Sequence, residues 1–142
     1  VHVAHDCRVG NHTIFANNAQ LAGHVHVDDY AILGGYTGVH QFCRVGAHSI
    51  TAISTVLLPD LPPYVMASGN TAQPHGINAE GLRRRGFSAA AIAAIKRAYK
   101  TLYKSGLSFE AARAQIAADA VQQPELQLLT EFLATPGRGV IR

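Results

Sequence analysis

A six-residue repeat constrains this chain more than any other feature of its sequence. Every sixth position in the first part of the chain is apolar: Val3, Val9, Phe15, Leu21, Val27, Leu33, Val39 and Val45. An α-helix needs apolar spacing near 3.6 residues and a simple strand needs spacing near 2, so a strict period of six predicts a solenoid. In a hexapeptide β-helix each hexad supplies one short strand and one corner, and three hexads close a triangular coil. We therefore predict an all-β parallel β-helix here.

Stacking of the coils converts sequence spacing into spatial neighbours. Residues about eighteen positions apart stack directly in such a solenoid. Two columns at one corner are therefore predicted to hold His5, Gly23 and Gln41, and then Asp6, His24 and Phe42. The residue after each apolar position is mostly small, which we interpret as room for a tight backbone turn. The period alone does not give the hand of the coil.

The regular hexads run to about Ile50. Proline cannot donate to a strand ladder, so we expect the solenoid to end at the prolines that follow, which are Pro59, Pro62 and Pro63. Tyr64 to Met66 is then predicted to be a short strand, and Gly69 to Gly76 a turn-rich linker. The predicted domains are β-helix coils over 1–66, a linker over 67–87 and a helical domain over 88–142.

The last third of the chain has helical spacing. Ser88 is a candidate N-cap for a first helix that Gly106 ends, and Ser108 a candidate cap for a second that runs to about Gln122. Pro124 suits the first residue of a third helix, which Pro136 and Gly137 are expected to end. Covering one end of the solenoid would by itself explain the apolar stripes of these helices.

Composition points to a cytoplasmic protein. No apolar run approaches the ~20 residues that a membrane helix needs, and no secretory leader pattern is present. Cys7 and Cys43 share one inward column but lie two coils apart. At ~4.8 Å per coil they are too distant for a disulfide, so we predict buried reduced thiols. Val1 opens within the repeat register, from which we expect that further coils precede it.

Charge is divided unevenly along the chain. Two basic and four acidic residues up to Asn70 give a net charge of −2, and ten basic and five acidic residues from Thr71 give +5, which together make +3. A basic half implies an acidic partner. Nucleic acid fits poorly because interleaved aromatics and recognition motifs are lacking, so we expect no nucleic acid. An acidic protein or a phosphate-bearing ligand fits at least as well.

Histidine is frequent in the solenoid, and His5 is the strongest candidate for chemistry. An imidazole beside Asp6 suits proton abstraction from a hydroxyl, and Gly23, one coil on, offers an unobstructed backbone N–H to an oxyanion. Taken singly, most of these histidines would be surface or packing residues. The paired-ligand spacings of zinc sites are absent, so no metal is predicted.

Several familiar catalytic motifs are missing. The sequence has no nucleophile elbow, phosphate loop or dinucleotide fingerprint, which leaves a Ser/His/Asp hydrolase unsupported. If chemistry occurs, we expect direct attack by a substrate hydroxyl on an activated acyl group, with His5 taking the proton. No covalent enzyme intermediate and no cofactor would be needed.

Six short motifs carry a resemblance to a known family. They are Val3 to Cys7 (VAHDC), Ala16 to Ala19 (ANNA), Leu21 to Val25 (LAGHV), Leu33 to Gly35 (LGG), Val39 to Phe42 (VHQF) and Gly81 to Phe87 (GLRRRGF). Together and in this order they resemble the acyl-ACP:UDP-N-acetylglucosamine O-acyltransferases, the first enzymes of lipid A synthesis. The resemblance covers nearly the whole chain and corresponds to the C-terminal half of that family or slightly more.

The resemblance implies a left-handed β-helix followed by a C-terminal α-helical domain, a homotrimer with sites between subunits, and no cofactor besides acyl-ACP as acyl donor. It implies that His5 is the general base for the glucosamine 3-hydroxyl, Asp6 its neighbour near the sugar, and Gly23 the oxyanion donor. The implied substrate-binding residues are His2, His24, His40, Gln41, Asn78, Glu80, Arg84 and Arg85. The last four would lie in a segment that reaches the nucleotide and its diphosphate.

The basic helices would, by the same resemblance, receive the acidic acyl carrier protein. A simpler alternative is that Arg83 to Arg85 bind no ligand and only form a charged, solvent-exposed segment before a helix. The chain also departs from the family, because long-chain members carry glycine where this chain has Ile53, at the end of the acyl tunnel. A branched side chain there implies a preference for a shorter 3-hydroxyacyl group. The family has further coils upstream, so we expect this chain alone to lack full activity.

Two rival functions stay open. A related N-acyltransferase, acting on a glucosamine amine, shares the hexads and a catalytic histidine, although the segments Arg83 to Phe87 and His40 to Phe42 argue against it. The other rival is a scaffold without activity that binds the carrier protein.

Overall fold

The structure, a computed structural model, describes residues 1–135 and 137–142. Its first part is a parallel β-helix built from very short strands. The strands are β1 His2–Val3, β2 Arg8–Val9, β3 Ile14–Phe15, β4 Gln20–Leu21, β5 His26–Val27, β6 Ile32–Leu33, β7 Gly38–Val39, β8 Arg44–Val45, β9 Ile50–Thr51, β10 Val56–Leu57, β11 Val65–Ser68 and β12 Gln73–Ile77.

Successive strands lie on three different faces of the prism. The first face has the order β1-β4-β7-β10, the second β2-β5-β8, and the third β3-β6-β9-β11 with β12 added at its end. Partners from β1 to β10 are eighteen residues apart, as in the pairing of His2 with Gln20. The triangular coil and the eighteen-residue stacking rule predicted from the hexads are therefore confirmed.

Left-handed residues turn the chain at the corners. Every sixth residue from Asp6 to Ser54 has φ between 57 and 66°, and none of them is glycine. Such a conformation costs a residue with a Cβ about 1–2 kcal/mol. Our interpretation that the chain turns at the small residues after the apolar column was wrong. Those residues are small because successive coils approach closely, since a Cβ on Gly34 would lie 2.6 Å from the Thr51 carbonyl oxygen.

The apolar column fills the prism. Its members from Leu21 to Val45 are all buried, together with the small inward residues between them and with Cys43. Val3 and Val9 are exposed because the first coil has a neighbour on one side only within this chain. Cys7 is half-buried, and both cysteines are free thiols, which confirms that they do not pair.

The prolines do not end the solenoid, contrary to the prediction. The register holds through Leu57, after which one coil is two residues shorter: Leu61 pairs with Val45 and Met66 pairs with Ile50. The Leu61 N–H donates to the Arg44 carbonyl at 2.9 Å. Because this non-proline residue supplies the ladder donor, the neighbouring prolines do not interrupt the pairing.

The segment predicted as a linker is partly regular structure. β11 overlaps the predicted strand, but β12 occupies Gln73–Ile77 and pairs with it antiparallel. The helices are α1 Ala79–Arg84, α2 Ala89–Tyr103, α3 Phe109–Ala120 and α4 Gln127–Ala134, the last preceded by a 3₁₀ turn at Pro124–Leu126. Helix α1 was not predicted.

Both predicted serine caps are confirmed. The Ser88 hydroxyl accepts from the Ala91 N–H at 3.0 Å, and the Ser108 hydroxyl accepts from the Ala111 N–H at 3.1 Å. Gly106 follows α2 with φ of 76°, a conformation that favours glycine. Pro136, a predicted helix end, lies outside the described residues.

A buried ion pair joins the helices to the solenoid. Arg44 from β8 contacts Asp60, which is fully buried, with Nη2 3.0 Å from the carboxylate. The same guanidinium donates to the Phe132 and Thr135 carbonyls at the end of α4. Tyr64 also crosses the junction, because its hydroxyl donates to the Glu125 carbonyl at 2.7 Å. In the described part of the chain, none of the helices is long and apolar enough to cross a membrane.

Candidate functional site

His5, Asp6 and His24 meet at the corner between the first and second faces, which we call the open corner. Gly23, Gln41 and Phe42 belong to the same two stacked columns. His5 Nδ1 lies 2.9 Å from Asp6 Oδ2, and His24 Nε2 lies 3.8 Å from that oxygen. The hydrogen bond from His5, followed by the charge of His24, lowers the pKa of the Asp6 carboxyl. The carboxylate is thus held ionised beside the imidazole.

Gly23 lies directly above His5. A Cβ on Gly23 would be 2.8 Å from both Nε2 and Cε1 of His5, so only glycine leaves the ring in its place. Gly23 is buried, and its N–H has no acceptor among the residues that the structure describes. The N–H at the same place of other hexads, as at Gly35 and Ala47, also has no acceptor in the described part of the chain, so the coil leaves a backbone donor at each corner, and at Gly23 a ligand atom could accept from it.

Ring stacking orders the outer column of this corner. His24 lies flat against Phe42 with centroids 4.5 Å apart, and meets His5 edge-on at 5.1 Å. The His24 backbone N–H donates to the His5 backbone carbonyl at 3.0 Å. These contacts fix His24 relative to His5, although both rings keep contact with solvent. Gln41 is exposed one coil further on.

A shallow groove of about 420 Å³ runs along the first face beside the open corner. His2 and His40 line it together with Gln20, Gly38 and Leu57. Ile53 lies at the opposite edge of the same face, at the corner before β10, where it is 70% exposed and packs above Gly35. The first face therefore separates the open corner from Ile53.

A second aromatic column follows the corner between the second and third faces, which we call the covered corner: His12, Tyr30, His48, Tyr64 and Phe87. The first four rings stack one above another, with His48 4.9 Å from Tyr30 and 5.7 Å from Tyr64. Phe87 meets the His48 and Tyr64 rings edge-on. Sequence reasoning missed this column, although the same eighteen-residue rule would have found its first three members.

His48 is the most perturbed group of the covered corner. It is 8% exposed, and burial, followed by the charge of Arg85, lowers its pKa to about 4. Arg85 Nε donates to His48 Nδ1 at 3.0 Å, and the guanidinium lies over the Tyr30 ring. The imidazole is therefore neutral at pH 7 and acts as an acceptor that positions Arg85.

The other residues predicted for the nucleotide lie in and before α1. Asn78 is buried, and its amide is used within the chain: Nδ2 donates to the His48 carbonyl and Oδ1 accepts from the Gly81 N–H. Glu80 and Arg84 are exposed, with Nε and Oε1 3.7 Å apart. Asn78 and Arg85 both contact His48. Within one chain, then, Asn78, Glu80, Arg84 and Arg85, which we call the α1 group, adjoin the covered corner rather than the open corner.

Comparison with known proteins bears on what this arrangement does. Residues 60–141 match the family model described as UDP N-acetylglucosamine O-acyltransferase, domain 2. The chain belongs to the UDP-N-acetylglucosamine O-acyltransferase family. Acyl-[acyl-carrier-protein]–UDP-N-acetylglucosamine O-acyltransferases of Thiobacillus denitrificans and of a Janthinobacterium species are 61% and 53% identical to it over its full length. The chain spans 55% and 56% of those proteins.

Solved structures of acyltransferases of this family have the same fold as this chain. The chain matches the UDP-N-acetylglucosamine acyltransferase of Francisella novicida with a TM-score of 0.95 and 43% identity, covering 96% of this chain and 50% of that one. LpxA from Acinetobacter baumannii gives a TM-score of 0.92 and 47% identity, covering 96% and 54%. The predicted fold, a left-handed parallel β-helix followed by helices, is confirmed, and so is the predicted family.

Proposed function

We propose that this chain carries the acyl-transfer site of an acyl-ACP:UDP-N-acetylglucosamine O-acyltransferase. The enzyme would transfer a 3-hydroxyacyl group from the acyl carrier protein thioester to the sugar 3-hydroxyl, the first step of lipid A synthesis. The observation that carries the proposal is the pairing of His5 with Asp6 directly beneath Gly23. The names of the relatives supply the two substrates.

In the proposed reaction His5 is the general base. Asp6 accepts from Nδ1–H and so favours the tautomer whose lone pair is on Nε2. Nε2 takes the proton of the sugar hydroxyl as its oxygen attacks the thioester carbon. The tetrahedral oxyanion accepts from the Gly23 N–H, and its collapse breaks the C–S bond. The departing carrier thiolate receives the proton from His5, so no covalent enzyme intermediate and no cofactor are required.

Substrate contacts follow from the same layout. His24 and Gln41 would contact the sugar nucleotide at the open corner, and His2 and His40 would do so from the groove on the first face. Arg84 and Arg85 would bind diphosphate oxygens, a task that suits the planar guanidinium, with Glu80 beside them. Asn78, whose amide is engaged within the chain, would position this segment rather than touch the ligand.

We infer that the complete site needs more than one copy of the chain. The α1 group and the open corner lie at different corners of the prism, so a site that combines them would take one from each of two subunits. A homotrimer would supply three such sites and would enclose His5, which is exposed in a single chain. Assembly can be measured by sedimentation equilibrium.

The acyl carrier protein would dock on helix α2. Lys96, Lys100 and Lys104 recur every fourth residue and are exposed, so they form a basic row on one side of that helix. An acidic carrier would be attracted to this row. The proposed reaction would take place in the cytoplasm.

Replacement of His5 tests the proposal. In the complete protein His5→Ala should lower turnover by about 10²–10⁴-fold, the usual contribution of a general base, without changing assembly. His12→Ala, at the covered corner, is the matched control and should keep its turnover. Full turnover in the His5 variant would show that His5 is not the base, whereas a parent protein that binds the carrier without any turnover would favour the scaffold. Assays with sugar acceptors that carry a 3-hydroxyl or a 3-amine separate the O-acyltransferase from the N-acyltransferase.

Ile53 would set the acyl length. Its side chain is exposed beside the first face, where it would limit a long acyl chain bound there. Ile53→Gly should shift the preferred 3-hydroxyacyl donor to a longer chain by about 10-fold or more, since each methylene in an apolar pocket is worth about 1–3 kcal/mol. Turnover with carrier thioesters of graded length measures this shift. An enzyme that already prefers long chains with Ile53 intact would contradict the prediction.

A further inference from the structure

Three donor atoms at the open corner have the composition and spacing of a metal site. His5 Nδ1, Asp6 Oδ2 and His24 Nε2 all lie within 4.8 Å of one another. The carboxylate oxygen is 2.9 Å from the first nitrogen and 3.8 Å from the second. Tetrahedral zinc with bonds of about 2.0–2.1 Å separates its ligands by about 3.4 Å. The observed separations therefore need only small side-chain rotations to fit.

The type of ligand narrows the choice of cation. Two imidazoles and one carboxylate, with a fourth position open to water, form a donor set that zinc accepts readily. Magnesium and calcium prefer oxygen ligands throughout. The Phe42 ring stacks on the His24 ring and fixes its orientation, and the hydrogen bond from the His24 backbone N–H to the His5 carbonyl fixes the spacing of the two coils.

We propose that the open corner binds a divalent cation of the zinc type through His5, Asp6 and His24, and that the bound cation inhibits acyl transfer. Coordination through Nδ1 of His5 displaces the proton from that nitrogen, so the neutral ring must carry its proton on Nε2. Nε2 then has no lone pair for the sugar hydroxyl. The binding itself is independent of the proposed function, whereas the inhibition rests on it.

The eighteen-residue rule predicts that these residues lie together, but the spacing does not match a short zinc motif. Short zinc motifs place their ligands a few residues apart on one turn or hairpin. Here Asp6 and His24 are eighteen residues apart and meet only because one coil separates them. The proposed cation site departs from our expectation of no metal, which rested on the absence of those short spacings, and the proposed acyl transfer itself needs no metal.

Titration of the metal-free protein with Zn²⁺ alone tests the site. Calorimetry should show one ion bound per chain, and Co²⁺ should give the visible absorption typical of tetrahedral coordination. Asp6→Asn and His24→Ala should each weaken binding by at least about 10-fold, since even loss of a group that only supports a metal ligand costs about 10–100-fold. His26→Ala, an exposed histidine on β5, is the matched control and should bind Zn²⁺ like the parent.

Two results would overturn the proposal. One is equal weakening in the His26 and His24 variants, or no weakening in any variant, with folding confirmed by circular dichroism. The other is turnover unaffected by Zn²⁺ at concentrations that saturate the site, which removes the inhibitory part. Loss of the proposed function would be recognised separately, by full turnover in metal-free His5→Ala.

Discussion

The open and covered corners have the same backbone and different surroundings. At both, residues eighteen apart adopt a left-handed φ near 60° and stack their rings along the prism. At the open corner the Phe42 ring is 54% exposed and His5 can reach solvent and ligands. At the covered corner Phe87 and Arg85 close over the column, and Tyr64 is 1% exposed. The two corners thus differ in exposure because of these covering residues and not because of the coil backbone.

The cover changes what a histidine can do. Burial lowers the pKa of His48 to about 4, so this ring stays neutral and accepts from Arg85. His5 instead donates to an ionised Asp6 and keeps its second nitrogen at the surface. The same residue type is thus a packing and positioning group at one corner and a candidate base at the other.

The largest expected difference concerns stability. Tyr64→Ala should lower the free energy of unfolding by about 3–5 kcal/mol, because a buried ring and its hydrogen bond to Glu125 are lost. Phe42→Ala, at an equivalent corner position with an exposed ring, should cost about 1 kcal/mol or less. Urea unfolding of both variants measures this contrast. Equal losses would mean that the cover does not distinguish the corners.

A methyl group on Gly23 should disturb His5, the proposed base, more than the fold. Gly23→Ala would place a Cβ 2.8 Å from the His5 ring and push it aside, so turnover should fall by about 100-fold. Gly35→Ala is the matched control at the third corner, because the nearest atom to its Cβ, the Asn17 carbonyl oxygen, is 3.5 Å away. Turnover and thermal melting of the two variants are compared. Similar turnover in both variants would show that Gly23 has no role in the reaction.

The smallest effect is the pH dependence contributed by His48. Its folded pKa of about 4 lies below its ordinary 6.5, so between these values the unfolded chain binds a proton that the folded chain does not. The free energy of unfolding therefore has its full value, as far as His48 is concerned, above pH 6.5. It falls as the pH drops from 6.5 to 4, by at most about 1.4 kcal/mol per pH unit.

His48→Phe removes the titrating group while keeping a ring in the stack. Between pH 7 and pH 5 the unfolding free energy of the parent should fall by about 2 kcal/mol more than that of the variant. The variant also loses the acceptor for Arg85, which lowers its stability equally at both pH values. Parallel pH profiles for the two proteins would show that His48 titrates normally.

The hexads predicted much of the fold because their period reflects one repeated local structure. The inward column, the three faces and the meeting of His5, Gly23 and Asp6 follow from counting in sixes and eighteens. The shortened coil at Leu61 could not be predicted, since it depends on which neighbour supplies a donor. Strand β12 was missed because turn-forming residues such as Pro74 and Gly76 conceal a strand whose partner, β11, lies nearby.

The sequence by itself determined the solenoid, the alignment of His5 with Gly23, and the family, because all of these depend on the order and spacing of residues along the chain. Only the tertiary structure decided which histidines are accessible. His24 and His48 both hold the left-handed position of their hexads, and nothing in that position shows that one keeps contact with solvent while the other is buried. The difference in accessibility arises from residues distant in the sequence, because Arg85 and Phe87 cover the corner of His48 and leave the open corner uncovered.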